Sequence, residues 1–224
     1  MMDGRKMESN MVSMAGRIVS EPCQIREERG ERLYAAHILT RRASGVTDRI
    51  PLIVPGKLIE PGDFSGRMVS VGGQFRSHNR REEGRSRLML AVFVREIGFL
   101  EEGCPIDCTS NNQVFLDGHI CKAPKYRKTP KGREIADVLL AVNRAHGESD
   151  YVPCIVWGSD AWDVARLGVG AALWVSGRIQ SREYVKALSE TESETRVAYE
   201  VSAIEVGIGD GAMHGKGSRQ GRWD

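Results

Sequence analysis

The sequence lacks the features that mark membrane, secreted and highly charged proteins. No window approaches the ~18 consecutive apolar residues of a membrane-spanning helix. Residues 1–10 are polar and contain no apolar stretch of the kind found in secretory signals. Charge of neither sign dominates, because 32 Lys and Arg residues stand against 30 Asp and Glu residues. These absences predict a cytoplasmic protein without membrane contact, whose partner cannot be read from its net charge.

Cysteines and metal-ligand clusters are also few. The five cysteines are irregularly spaced, which does not fit a disulfide framework, so we expect reduced thiols. Cys104, Cys108, His119 and Cys121 are soft ligands of the kind that zinc accepts. His119 and Cys121 fall on one expected strand, however, and the first half of the chain has no equivalent set. The sequence therefore predicts no metal and no cofactor.

Familiar catalytic motifs are missing as well. The chain has no Gly-x-Ser-x-Gly, no His-Glu-x-x-His and no Gly-x-x-x-x-Gly-Lys-Ser/Thr. None of the five histidines has a carboxylate or cysteine neighbour at a known catalytic spacing. Hydrophobic residues make up 41% of the chain, which is enough to bury a core. We therefore expect a globular binding protein and not an enzyme.

The most informative feature that is present is an internal repeat. At a shift of 102 residues, 10–16 falls on 112–118 and 48–51 falls on 150–153. At a shift of 104 residues, 69–77 falls on 173–181. This repeat predicts two domains, which we place at 8–102 and 109–207 and which are joined by a short linker. A glycine-rich segment, 208–224, is expected to form a flexible tail.

Each repeat is expected to be built of β-strands. In the second repeat, β-branched and alternating segments predict three strands, then a short helix over 159–167, then two more strands. This order is that of the OB-fold, a five-stranded Greek-key barrel with its helix between strands 3 and 4. The sequence therefore predicts an all-β protein with two tandem OB-fold barrels, each carrying such a helix. Residues 122–132 are expected to form a polar loop between the first two strands.

Basic residues are concentrated in that loop. Half of the twelve residues 122–133 are basic and none is acidic. They are Lys122, Lys125, Arg127, Lys128, Lys131 and Arg133. A polyanionic backbone bound there would release counterions, so phosphate contact accounts for the cluster better than simple solvation does. A second cluster in the first repeat, with Arg76, Arg80 and Arg81, is diluted by nearby acids and is equally compatible with a solvated hairpin.

Aromatic residues near the basic loop favour single-stranded nucleic acid over a duplex. Trp157 ends the third strand of the second repeat, and Tyr151 begins it on the same face. Tyr184 follows the fourth strand. Exposed aromatic rings beside basic side chains form a platform on which unpaired bases stack. We expect Trp174 to lie in the core or in an interface and Trp162 to lie in the core, because each has apolar neighbours at strand or helix spacing.

Several segments of the second repeat together resemble a known protein family. Residues 111–206 resemble the bacterial single-stranded DNA-binding protein family. The matching segments are 112–118, 129–132, 140–142, 155–158, 170–177 and 180–184. The resemblance implies an OB barrel that wraps single-stranded DNA without catalysing a reaction. It also implies stacking positions at Tyr151, Trp157 and Tyr184, with His146 near a fourth. Basic side chains expected at the rim of this site are Arg144, Arg178, Arg182 and Lys186.

The chain departs from the family pattern in two places. The first repeat has Arg49, Pro55 and Arg80 where the second has Tyr151, Trp157 and Tyr184. Residues 217–224 do not resemble the acidic, apolar tip through which the family typically recruits replication and repair enzymes, which puts such recruitment in doubt. Because family members carry one barrel per chain and form tetramers, two barrels imply a homodimer with four. Two alternatives remain open: an accessory protein of the primosome or of recombination that mainly contacts other proteins, and an RNA-binding protein.

Overall fold

The structure, a computed structural model, describes residues 8–28, 30–59, 64–82, 85–144, 147–187 and 193–209. The strands of the first half are β1 (Asn10–Ile18), β2 (Cys23–Glu28), β3 (Glu31–Arg41), β4 (Thr47–Pro55), β5 (Met68–Glu82) and β6 (Arg85–Leu100). Those of the second half are β7 (Asn112–Lys128), β8 (Glu134–Asn143), β9 (Ser149–Trp157), β10 (Ala172–Ala187) and β11 (Ser193–Ile208). Helix α1 (Ser159–Ala165) follows β9. The prediction of an all-β fold is confirmed.

The strands of each half pair in a ring that closes on itself. In the first half, β1 pairs with β5, β5 with β6, β6 with β4, β4 with β3, and β3 with β1. The second half repeats this order with β7, β10, β11, β9 and β8. The pairs β4·β6 and β9·β11 are parallel and the others are antiparallel. An antiparallel pairing of β1 with β7 connects the two rings.

Period-two alternation decides which side chains enter the core. On β8 the buried side chains include Ala136, Val138, Leu140 and Val142, and the residues between them point to the outside of the ring. Glycine is required where the strands cross most closely. A Cβ on Gly118 would lie 2.3 Å from the backbone oxygen of Ala141, which no side chain tolerates.

Matched hydrogen bonds recur inside the two halves. The side-chain amide of Asn10 donates to the backbone oxygen of Phe75 at 2.8 Å, and that of Asn112 donates to the backbone oxygen of Ile179 at 2.7 Å. Asn112 follows Asn10 by 102 residues and Ile179 follows Phe75 by 104, which are the two shifts of the sequence repeat. The repeated sequence therefore builds repeated contacts.

The expectation of a loop after the first strand of the second repeat is wrong. Residues 122–128 form the end of strand β7 and not a loop, because they pair with residues 134–139 of β8. The basic residues Arg76, Arg80 and Arg81 of the first half also lie on a strand, β5, which forms a hairpin with β6, in agreement with one of the two interpretations of this cluster. Between β4 and β5 the described residues contain one turn of 3₁₀ helix, Gly56–Leu58, where the sequence predicted a short helix. Residues 60–63 and the expected tail beyond 209 lie outside the described part of the chain.

No helix among the described residues has the length and apolar character needed to cross a membrane.

Candidate nucleic-acid interface

The outward side of the second ring brings predicted site residues from several strands together. Trp157 of β9 pairs in register with Ile135 of β8, and Ile135 pairs with Arg127 of β7. In the other direction, Ile155 of β9 pairs with Ser202, and Ser202 pairs with Arg178 of β10. Residues paired in register point to the same side of a sheet. We call this outward surface, with Tyr151 and Tyr184 at its ends, the aromatic face.

Trp157 is held in place at the centre of the aromatic face. Its indole Nε1–H donates a hydrogen bond to the Ser202 Oγ at 3.1 Å. The side chain is half-buried, so part of the ring remains accessible. A fixed, partly exposed indole is ready to stack on a base without a large further loss of rotamer entropy.

The two tyrosines are more exposed than Trp157. Tyr151 is 44% exposed and Tyr184 is 37% exposed. The Arg182 guanidinium lies 5.8 Å from the centre of the Tyr184 ring. The exposure of Tyr184 is what the sequence led us to expect, and the stacking role of both tyrosines stays a prediction. His146, the remaining stacking candidate, lies outside the described residues.

Residues 122–133, which we call the basic arm, form a hairpin with the start of β8. The backbone N–H of Thr129 donates to the Arg133 oxygen at 2.8 Å, and Gly132 closes the turn with a φ of 78°. Two of the six basic side chains meet acids across the hairpin: Arg127 lies 2.6 Å from Asp137, and Lys128 lies 3.6 Å from Glu134.

The other four basic side chains of the arm are exposed and form no ion pair with the described residues. They are Lys122, Lys125, Lys131 and Arg133. The hydrogen bond from Arg127 to Asp137 raises the pKa of Arg127, which remains charged but partly neutralised by its partner. The arm is therefore less basic than its own sequence indicates, and its free charge is carried mainly by lysines.

Three basic residues of β10 lie at the rim of the aromatic face, and they differ in burial and in whether an acid is close to them. Arg178 is half-buried, and its Nε atom has no hydrogen-bond partner among the described residues. Arg182 lies 3.7 Å from Glu200, which also accepts a hydrogen bond from Gln180 at 2.8 Å. Lys186 is exposed near the end of β10. Arg178 and Lys186 thus offer the positive charge least neutralised by acids on this side.

Several predicted site residues do not reach the aromatic face. Arg144 is paired with the buried carboxylate of Asp150 and donates to the backbone oxygen of Ser77 at 2.6 Å, so it links the two halves of the chain. Arg76 belongs to the outer side of the first ring. Arg80 and Arg81 lie on strand β5, and their side chains fall outside the described part of the structure.

Trp162 is not in the core, contrary to the sequence-based expectation. It is 53% exposed on α1, whereas Ala161 and Val164 of the same helix are buried. Its ring meets Tyr126 edge to face, with 5.4 Å between centroids. Tyr126 alternates with Lys125 and Arg127 along β7, so this pair lies on the opposite side of the arm. Trp174 is half-buried and stacks on Phe115 at 6.2 Å.

Among the described residues, no group of three or more His, Cys, Asp or Glu side chains could hold a metal ion.

Comparisons with known proteins match the second half most strongly. The Single-strand binding protein family matches residues 111–206. A single-stranded DNA-binding protein of Bacillus cereus is 35% identical over 117 residues, which cover 49% of this chain and 69% of that protein. Single-stranded DNA-binding protein A of Bacillus subtilis is 35% identical over 112 residues, covering 46% of this chain and 65% of that protein.

The similarity in structure extends over both halves. A crystal structure of a deletion mutant of the Thermus aquaticus single-stranded DNA binding protein superposes with a TM-score of 0.70 at 19% identity, covering 94% of this chain and 98% of that one. The wild-type Thermus aquaticus protein gives a TM-score of 0.67 at 20% identity, covering 95% and 96%. At this identity the likeness establishes a shared fold.

Proposed function

Because the chain belongs to the single-strand binding protein family, we propose that it binds single-stranded DNA on the aromatic face with little sequence preference. The observation that carries this proposal is the placement of Trp157. Its ring is fixed by Ser202 and lies on the same side of the sheet as Arg127 and Arg178. The indole ring can stack on an unpaired base, while the basic side chains of β7 and β10 on either side of it contact the phosphates before and after that base.

Binding then combines two contributions. Bases stack on Trp157, Tyr151 and Tyr184, and each stacked base contributes roughly 1–3 kcal/mol. Phosphates lie against the basic arm and against Arg178, Arg182 and Lys186, and they release counterions as they bind. Stacking requires a base that is free on at least one side, so a paired duplex is a poor ligand. No step of this function is catalytic.

We further propose that each closed ring of strands is an OB-fold barrel, so that the chain carries two in tandem over 8–102 and 109–207. Helix α1 lies between β9 and β10, the third-to-fourth-strand position at which this fold carries its helix. In this proposal the antiparallel pairing of β1 with β7 joins the barrels as two similar subunits would be joined in a dimer of single barrels.

Two copies of the chain would give four barrels, and we propose this homodimer. The outward side of the β1·β7 junction forms a groove of about 820 Å³. It is lined in part by Met11, Phe115 and Ile204, of which Met11 is 38% exposed and Ile204 is 66% exposed. A second copy would cover these apolar side chains. Light scattering that gives the mass of one chain would exclude the dimer.

The proposed binding is tested by tryptophan fluorescence during titration with poly-dT, poly-rU and a duplex at low and high salt. We expect strong quenching by poly-dT, a weak response to the duplex and a clear salt dependence. Equal or stronger quenching by poly-rU would favour RNA as the ligand. If no nucleic acid binds, a protein-contact function in replication or recombination becomes the better account.

We place the activity in the cytoplasm, at the nucleoid, and assign it to replication, repair and recombination.

A further inference from the structure

We propose that the first half carries a second, differently built stacking site for unpaired bases, centred on Phe93. This inference deepens the proposed function and rests on it. The sequence pattern suggested that the first half had lost its aromatic residues, because Pro55 stands where Trp157 does. The strand register shows that the first half has an aromatic residue, Phe93, on the neighbouring strand β6 instead.

The register of the two parallel strand pairs identifies the exchange. In the second half, Ile155 pairs with Ser202, the residue that holds the Trp157 indole. In the first half, Ile53 pairs with Phe93 in the same way. Phe93 therefore occupies the position of Ser202, one strand away from Pro55. The ring lies on the same outward side, at the place corresponding to the centre of the aromatic face.

Phe93 rests on an apolar base that fixes its position. Leu33, Ile53 and Ala91 form a separate buried cluster on the outside of the first ring, and Phe93 packs against it while remaining half-buried. The His78 ring meets Phe93 edge to face, with 6.4 Å between centroids. The phenyl ring is thus held by neighbours on one side and is partly accessible on the other, as the Trp157 indole is.

The positively charged side chain beside Phe93, that of Arg76, forms no ion pair with a carboxylate of the described residues, although Asp150 and Glu148 lie near enough to act on its charge. The Arg76 guanidinium lies 5.2 Å from the centre of the Phe93 ring. Among the described residues, it hydrogen-bonds the neutral side-chain oxygen of Gln74, at 3.0 Å from Nε, and pairs with no carboxylate. Burial, and next the nearby charge of Arg144, lower the pKa of Arg76. A phosphate would supply the negative charge that this guanidinium lacks.

The second half has the opposite charge arrangement at the corresponding place. Gln180 stands there instead of Arg76 and is hydrogen-bonded to the buried Glu200. In the first half, the residue paired with Arg76 is Ala91. The two faces thus place ring and charge differently: the second has the larger ring, and its Arg178 stands where the first has Gln74, whereas the first has Arg76 where the second has Gln180.

The site adjoins the aromatic face of the other half. The backbone N–H of Tyr151 donates to the Ser77 Oγ at 2.8 Å, and Ser77 lies between Arg76 and His78 on β5. The exposed Tyr151 ring therefore stands next to the strand that carries Arg76. One DNA strand can pass from Trp157 over Tyr151 to Phe93 without leaving basic and aromatic surface.

The test compares the full-length chain with three variants: Phe93→Leu, Trp157→Leu and the double variant. Leucine preserves apolar packing and removes the stacking ring. Affinity is measured with a labelled oligo-dT of about 35 nucleotides, long enough for two faces at ~4–16 nucleotides per OB-fold. Phe99→Leu is the matched control, because Phe99 lies six residues further along β6, near the end of the strand, and has Arg67 4.8 Å from its ring centre. Circular dichroism and thermal unfolding verify the fold.

We expect Phe93→Leu to weaken binding by roughly 5- to 100-fold, Phe99→Leu to bind as the wild type does, and the double variant to bind worse than either single variant. Wild-type affinity in Phe93→Leu together with weak binding in Trp157→Leu would overturn this inference and leave the proposed function standing. Absence of oligo-dT binding by the wild-type chain would overturn both.

A further variant keeps the inference testable if Phe93→Leu does not fold. Phe93→Trp retains an aromatic ring and adds a fluorescent reporter at the site. We expect oligo-dT to quench this added fluorescence, so that the total quenching exceeds that of the wild type. Unchanged quenching amplitude in a folded Phe93→Trp protein would place the ring away from the DNA and overturn the inference.

Discussion

The carboxylate of Asp150 accepts a hydrogen bond from the backbone N–H of Ser77 at 2.6 Å, across the contact between the two halves of the chain. Asp150 is 1% exposed and is paired with Arg144. The first half repeats the arrangement: Asp48 accepts a hydrogen bond from the backbone N–H of Ser181 at 2.7 Å and is paired with Arg42. Each half thus supplies one buried acid that contacts the other half.

Removal of either acid is expected to destabilise the protein. In Asp150→Ala, the Arg144 guanidinium, which is 22% exposed, keeps only Glu148 as an acidic partner, and the Ser77 N–H loses its acceptor. The expected cost is about 1–3 kcal/mol, because a buried donor is left without a partner. Urea unfolding monitored by circular dichroism measures the loss. Asp48→Ala should lose a similar amount, and a loss below about 1 kcal/mol in both variants would contradict a structural role for the two pairs.

Substitution of Trp157 is expected to weaken DNA binding without unfolding the protein. Trp157→Ala removes one stacking ring, so affinity for oligo-dT should fall by roughly 1–3 kcal/mol. Fluorescence anisotropy with a labelled oligonucleotide measures this change. The control is Trp162→Ala, because Trp162 is exposed on the other side of the basic arm. A larger effect of Trp162→Ala would move the binding surface to that side.

Ser202→Ala tests whether the position of the Trp157 ring matters. The variant keeps the indole but removes the hydroxyl oxygen that accepts its N–H bond. We expect an affinity between those of the wild type and Trp157→Ala, since an unanchored ring loses rotamer entropy when it stacks. Affinity is compared under the same conditions. Wild-type affinity in Ser202→Ala would contradict a role for this hydrogen bond in binding.

The basic arm provides a test of charge in both directions. Replacement of Lys125 and Lys131 by Ala should flatten the dependence of log K on log salt by about 0.7 for each phosphate that the arm no longer neutralises. Asp137→Asn should do the reverse: it frees Arg127 from its ion pair, so affinity should rise and the salt dependence should steepen. Titrations at several salt concentrations measure both slopes. A weaker affinity in Asp137→Asn would show that Asp137 positions Arg127 for binding.

His37 is expected to make the stability depend on pH in the acidic range. Burial, and next the charge of Arg49, lower the pKa of His37 below its ordinary value of 6.5. The unfolded chain therefore binds a proton at His37 before the folded protein does. The contribution of His37 to the free energy of unfolding is fully present at pH values above 6.5. It is lost as the pH falls through 6.5 toward the lower pKa of His37 in the folded protein. Melting temperatures across this range should fall less steeply in His37→Gln than in the wild type.

Local patterns in the sequence were enough to predict the all-β class and the family, because alternation and short motifs depend on neighbouring residues. They also predicted that Tyr184 is exposed, as the structure shows. The exposure of Trp162 was missed, since a seven-residue helix buries only two of its side chains and spacing alone does not say which. The acids opposite the basic arm were missed because Asp137, which pairs with Arg127 across a hairpin, lies outside residues 122–133, and these residues contain no acid.

The repeat could be read from the amino-acid sequence alone, and its two shifts separate the matched hydrogen bonds of the two halves in the structure. Which side chains share a surface became clear only from the pairing of the strands. Strand register placed Ser202 under Trp157 and Phe93 beside Ile53, although these partners are far apart along the chain. It also directed Arg144 to the contact between the halves. The physical reason is that a strand determines only which side a residue faces, whereas its neighbours on that side come from strands that pair over long distances.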